Sequence, residues 1–121
     1  MAIDPGRNIG VAFVSRLGRL ERASVITIAE LARLDFPEGA TILVGDGTGS
    51  QDVQAALRRL GRSYTIWPER DTSRQGRELY LRDHPPRGLA RLLPRGLRAP
   101  SVPIDAYAAY ALALHYLEKP L

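Results

Sequence analysis

With 121 residues and a mass of 13.3 kDa, the chain has material for one hydrophobic core and too little for two, so residues 1–121 are expected to form a single domain. A hydrophobic share of 45%, a charged share of 25% and no cysteine exclude a disordered polyelectrolyte, a disulfide framework and any thiolate metal site. The formal charge of +4 with a pI near 10.0 points to a polyanionic partner, and no apolar run approaches the roughly 20 residues that span a bilayer.

Met1 to Asp4 is a short apolar start closed by Asp4-Pro5-Gly6, a turn signal that continues through Arg7-Asn8. It has neither the basic start nor the apolar middle of a signal peptide, so a cytoplasmic protein is expected. Ile9 to Ser15 alternates weakly as a strand, Leu17-Gly18-Arg19 turns, and Leu20 to Thr27 is rich in β-branched residues. These three strands are expected as an antiparallel meander. Thr27 to Leu34 carries Ile28, Leu31 and Ala32 at helical spacing, which predicts a short helix ended by Pro37 and Gly39.

From there strand and helix alternate. Ala40 to Val44 reads as a buried strand, Gly45 to Ser50 as a glycine-rich loop and Gln51 to Leu60 as an amphipathic helix stopped by Gly61. Ser63 to Trp67 is the next buried strand, cut off by Pro68. Strand-helix-strand units impose parallel pairing, so the sheet is expected to be mixed: a meander plus two parallel strands. Thr72 to Leu81 reads as a helix broken by His84-Pro85-Pro86, a second basic segment runs from Arg87 to Leu97, and Ser101 to Leu117 predicts a final helix.

Of the 17 basic residues all but Lys119 are arginine. Codon bias accounts for that excess as well as function does, but not for its clustering. Between Arg70 and Arg98 stand Arg70, Arg74, Arg77, Arg82, Arg87, Arg91, Arg95 and Arg98 against only Asp71, Glu78 and Asp83. One basic stretch on a near-neutral body is the pattern of a phosphate-facing surface, and the arginine fork pairs its N–H groups with phosphate oxygens. Arg70, Arg74 and Arg77 follow at helical spacing, and Arg7 sits in the first turn.

Four carboxylates fall at element ends: Asp4 after the first strand, Asp46 after the fourth, Glu69 after the fifth and Asp105 in the first turn of the last helix. In open α/β sheets ligands bind at that edge. Carboxylates gathered there repel unless a cation neutralises them. With no cysteine, oxygen ligands, His84 and His115 are the candidates, and Mg²⁺ or Mn²⁺ is the expected ion. A divalent pair can prepare a water nucleophile and stabilise a leaving oxygen in phosphodiester hydrolysis. Taken singly, each acid reads as well as a cap or turn residue; Asp52 and Asp71 are best explained that way.

Ile3-Asp4-Pro5-Gly6 followed by Ile9-Gly10-Val11-Ala12 resembles the first hairpin of the RNase H-like nucleases of the RuvC and YqgF group. Pro68-Glu69-Arg70-Asp71-Thr72-Ser73 is similar to the YqgF motif Asp-Glu-Arg-x-Thr-Thr, with Pro68 in place of the Asp. Asp105-Ala106-Tyr107-Ala108-Ala109 is similar to that group's closing Asp-x-x-Ala-Ala helix. The resemblance spans nearly the whole chain. It implies an RNase H-like α/β fold with a five-stranded mixed sheet in order 3-2-1-4-5. It also implies catalytic metal ligands at Asp4, Glu69 and Asp105, and action on branched DNA, as a Holliday junction resolvase, or on structured RNA, as in pre-16S rRNA processing. RuvC-type proteins carry their second acid where Asp46 stands and YqgF proteins where Glu69 stands, so Asp46 enters as a further candidate metal ligand. The loop Gly45 to Ser50 resembles the Gly-Asn-Gly-Thr of the related domain of the transcription accessory factor Tex, which makes a catalytically silent nucleic-acid-binding module the competing reading.

The same loop offers backbone N–H groups to a phosphate at a helix N-terminus but lacks the lysine of a P-loop. His84 reads as a loop residue and His115 as a packing residue. Trp67, Tyr64 and Tyr80 suit base stacking or, for Trp67 above all, core packing. Tyr107, Tyr110 and their neighbouring alanines spread apolar surface round the final helix, more than one core-facing stripe requires, and support a homodimer contact.

Overall fold

The computed structural model describes residues 1–69, 72–83 and 104–117. Among the described residues five strands and four helices follow one another as β1 (Ala2–Asp4), β2 (Ile9–Val14), β3 (Leu20–Ile26), α1 (Ile28–Leu31), β4 (Leu43–Gly45), α2 (Ser50–Arg59), β5 (Thr65–Trp67), α3 (Thr72–Asp83) and α4 (Ile104–Tyr116). The strands form one open mixed sheet in order β3-β2-β1-β4-β5. β1, β2 and β3 pair antiparallel, while β1 with β4 and β4 with β5 pair parallel. The expected meander and two parallel strands are both present.

Alternation along the strands sorts side chains to two faces. Ile3, Ile9, Val11, Phe13 and Val44 face α1 and α2, where Leu31, Val53 and Leu57 close one core. Ala2, Ala12 and Leu43 face the other way, onto α4, and Leu79 of α3 joins that second core. The molecule is therefore layered, helices on both faces of the sheet.

α4 explains the unusual apolarity of its sequence. It lies between the sheet and α3, so Ala106 through Leu114 are all buried, as befits a helix that is hydrophobic all round. Gly76 of α3 touches its backbone at Tyr107 and Ala108. Tyr107 donates its hydroxyl to Asp83 Oδ2 at 3.0 Å, and Tyr110 donates to the carbonyl of Gly18 at 2.8 Å. The surface on which a homodimer was expected is thus covered within the chain.

Several boundaries differ from expectation. α1 is one turn, not Thr27 to Leu34: a capping box between Thr27 and Glu30 starts it, but Arg33 and Leu34 already bond three residues back, the tighter pattern of a fraying end. β4 starts at Leu43, not Ala40, because Gly39 at φ +73° and a bond from Ala40 N–H to the Pro37 carbonyl keep that stretch in a turn. α2 closes as expected at Gly61, whose φ of +69° allows Arg62 N–H to reach the Leu57 carbonyl at 2.9 Å. β5 begins at Thr65, not Ser63, and it is an edge strand with Thr65 and Ile66 exposed, not a buried one. Arg70, Asp71, His84, the segment 87–97 and the expected helix start at 101–103 lie outside the described residues. No helix among the described residues is long and apolar enough to cross a membrane.

Candidate functional site

Strand register builds the site. β1, β4 and β5 run parallel, so their carboxyl ends share one edge of the sheet: Ile3 stands beside Val44, and Gly45 beside Trp67. Asp4 ends β1 at that edge, paired across the hairpin with Gly10. Asp46 follows Gly45 directly and Glu69 lies two residues past Trp67, with Pro68 ending the strand. The fourth acid comes from the opposite direction. The backbone of Asp105, in the first turn of α4, rests on Gly10, where an added Cβ would run into its carbonyl oxygen. The bare Cα of Gly10 is what lets α4 begin at the sheet edge.

Asp4 and Glu69 are brought together. Both are half-buried, and their carboxyls face one another within hydrogen-bonding range. Burial pushes the Asp4 carboxyl up to about 8, aided by the hydrogen bond with Glu69, then by the negative charges of Glu69 and Asp105. Desolvation and like charge act in the same direction here, because both penalise the ionised form. Glu69 Oε1 is buried without a hydrogen-bond partner. A desolvated carboxylate oxygen left without a donor is costly, and a proton or a cation relieves it.

Asp105 reaches Asp4 through its field, with its own side chain exposed. Asp46 is also exposed, and its Oδ1 accepts the backbone N–H of Glu69 at 3.1 Å. Among the described residues no three His, Asp or Glu side chains converge as a ready ligand cage. A facing pair of carboxyls, one unsatisfied buried oxygen and a third acid within electrostatic range would suit an oxygen-preferring divalent ion better than a soft one.

The two glycines that flank Asp46 do more than make a loop. A Cβ on Gly45 or on Gly47 would collide with the Glu69 carboxylate, so both form its floor. The signal in the sequence was the Gly-Asp-Gly spacing at a strand end, which marks close approach as readily as it marks a phosphate loop. An open cavity of about 510 Å³ adjoins that loop, lined among others by Asp46, Thr48, Ser50, Asp52 and Gln54. Its described lining includes Asp46 and Asp52, with no arginine or lysine among the described residues to pair with a phosphate.

The remaining candidates are dispersed. Arg7 is exposed in the β1–β2 turn, and Arg74 and Arg77 are exposed on α3, where Arg74 pairs with Glu78 at 2.9 Å. Tyr64 accepts from Arg58 and donates to Gln54. Trp67 packs edge-on against Tyr116 with ring centroids 5.1 Å apart, and Tyr80 against Tyr107 at 5.5 Å. His115 is half-buried on α4. Neither the protein-family models nor the curated proteins contain a match to this sequence.

Proposed function

We propose that the chain is a divalent-metal-dependent nuclease of RNase H-like fold that hydrolyses phosphodiester bonds in structured nucleic acid, a branched DNA or a folded RNA. One observation carries the reading: Asp4 and Glu69 face each other at the carboxyl edge of the sheet with Glu69 Oε1 buried and unsatisfied, and Asp105 within range. Evolving such an arrangement costs stability unless a ligand offsets it, and cations are the ligands that carboxylates attract. The sheet order and the layering of helices on both faces are compatible with that fold.

In this reading Asp4, Glu69 and Asp105 hold Mg²⁺ or Mn²⁺, which when bound supplies a water nucleophile at neutral pH and stabilises the leaving oxygen. The protein's own work is to hold Asp4 and Glu69 partly desolvated at one edge with Asp105 beside them, Gly45 and Gly47 admitting the Glu69 carboxylate and Gly10 the backbone of Asp105. Arg7, Arg74 and Arg77 are exposed cations suited to flanking phosphates, and Arg70 belongs to the same basic stretch. Phosphate contacts of this kind position a substrate without reading its sequence.

A second reading, a silent nucleic-acid-binding module, is favoured by the absence of a three-carboxylate cage among the described residues. The two separate in one experiment. Labelled four-way junction and structured RNA are incubated with wild type and Asp4→Asn, each with Mn²⁺ and with chelator. The nuclease cuts only with metal, and the variant binds without cutting. Salt-sensitive binding with no cutting by wild type selects the silent module.

A further inference from the structure

Asp46 stands among the site's carboxylates, yet its contact is with backbone. We propose, building on the metal-site reading above, that Asp46 is a positioning residue that clamps the chain at Glu69 over the glycine floor, and that it is not itself a metal ligand.

Three observations support it. Its Oδ1 accepts the Glu69 N–H at 3.1 Å, a bond across 23 residues that ties the β4 exit to the β5 exit. Pro68, just before, has no N–H to give, so the Glu69 N–H is the first donor past the end of β5. On the other side the Glu69 carbonyl accepts from the N–H and the Oγ1 of Thr72, each at 3.4 Å, and Thr72 is buried at the start of α3. The residue is therefore gripped before and behind.

The second observation is placement. Asp46 sits between Gly45 and Gly47, the two positions whose missing side chains make room for the Glu69 carboxylate. The side chain that holds the Glu69 backbone thus rises from the same loop that receives the Glu69 carboxylate. The third is burial. Asp46 is exposed and its bonded oxygen is satisfied, whereas the desolvated oxygen that lacks a partner belongs to Glu69. A cation relieves Glu69, while Asp46 gains less because its side chain is exposed to solvent.

The clamp needs an acceptor oxygen, not a charge, and this separates it from ligation. Asparagine keeps the oxygen and alanine removes it. The test uses the full chain with Mn²⁺ alone as probe, measuring its affinity by calorimetry and, without metal, the exchange protection of the Glu69 amide by NMR. Asp46→Asn is expected to keep the amide protected and bind Mn²⁺ within about threefold of wild type. Asp46→Ala is expected to lose protection and bind about tenfold more weakly, the scale of one hydrogen bond.

Asp46→Asn that binds as weakly as Asp46→Ala with the amide still protected would overturn the proposal, since the carboxylate would then be acting on the ion. Protection that survives in Asp46→Ala would overturn it too, by showing the bond idle. Wild type that binds no Mn²⁺ sinks the metal reading instead, and the amide comparison still decides whether Asp46 clamps Glu69.

Discussion

The Glu69 carboxylate is seated on the bare Cα of Gly45, where any larger side chain would collide with it. The colliding atoms are the far end of a flexible side chain, so the carboxylate would move and the strand would stay. Gly45→Ala is therefore expected to weaken Mn²⁺ binding at least tenfold while shifting the melting temperature by less than about 5 °C, the equivalent of about 1 kcal/mol. Calorimetry and a thermal melt in chelator check both halves. Unaltered Mn²⁺ affinity would show that the seat does not matter to the ion.

Asp4 links this site to pH. Its carboxyl is pushed up to about 8 in the folded chain, chiefly by burial, against an ordinary value of 3.8. Between those values the folded state holds a proton that the unfolded state has released, so stability falls as pH rises from about 4 to about 8. Metal-free wild type should melt lower at pH 8 than at pH 5, and Asp4→Asn should flatten that slope. Mn²⁺ should raise the melting temperature more at pH 8, where it meets less competition from the proton. Parallel slopes for wild type and variant in chelator would contradict the assignment of the shift to Asp4.

Gly76 tests the packing behind the site. An added Cβ would lie 2.6 Å from the Ala108 nitrogen and 2.8 Å from the Tyr107 carbonyl carbon, backbone atoms that cannot rotate away. Alanine gains about 1 kcal/mol over glycine in a helix interior, and overpacking costs about 1–3 kcal/mol. The contact is expected to win, lowering the urea midpoint of Gly76→Ala by the equivalent of about 1 kcal/mol. A raised midpoint would mean that α3 and α4 part without cost.

On the outer surface, Arg77→Ala should leave stability unchanged and weaken nucleic-acid binding about equally for all sequences. The slope of log affinity against log salt should fall by about 1 if Arg77 neutralises one phosphate. Anisotropy titrations at several salt concentrations measure it. An unaltered slope would place α3 away from the nucleic acid.

The sequence by itself determined the order and type of the elements. Asp4-Pro5-Gly6 and Leu17-Gly18-Arg19 can only turn the chain, and the alternation of short strands with helices after Ala40 demands parallel pairing. From that alone the carboxyl ends of β4 and β5 had to share an edge, which put Asp46 and Glu69 in one neighbourhood. These are local preferences and chain-connection rules, and they survive in any tertiary setting that the chain adopts. That β1 brings Asp4 there too followed only from the resemblance, and the β1–β4 pairing places it.

Which acids touch was decided only by the tertiary structure. Asp46 and Glu69 look equivalent in sequence, but register and the β5 exit turn Asp46 toward a backbone N–H and leave Glu69 facing Asp4. Tyr107 and Tyr110 read as surplus apolar surface until α3 and the Gly18 carbonyl cover them. β5 reads as buried from its apolar letters, yet it falls at the sheet edge with Ile66 exposed. Each outcome depends on a neighbour tens of residues away, and periodicity within a segment carries no record of which neighbour packing will bring.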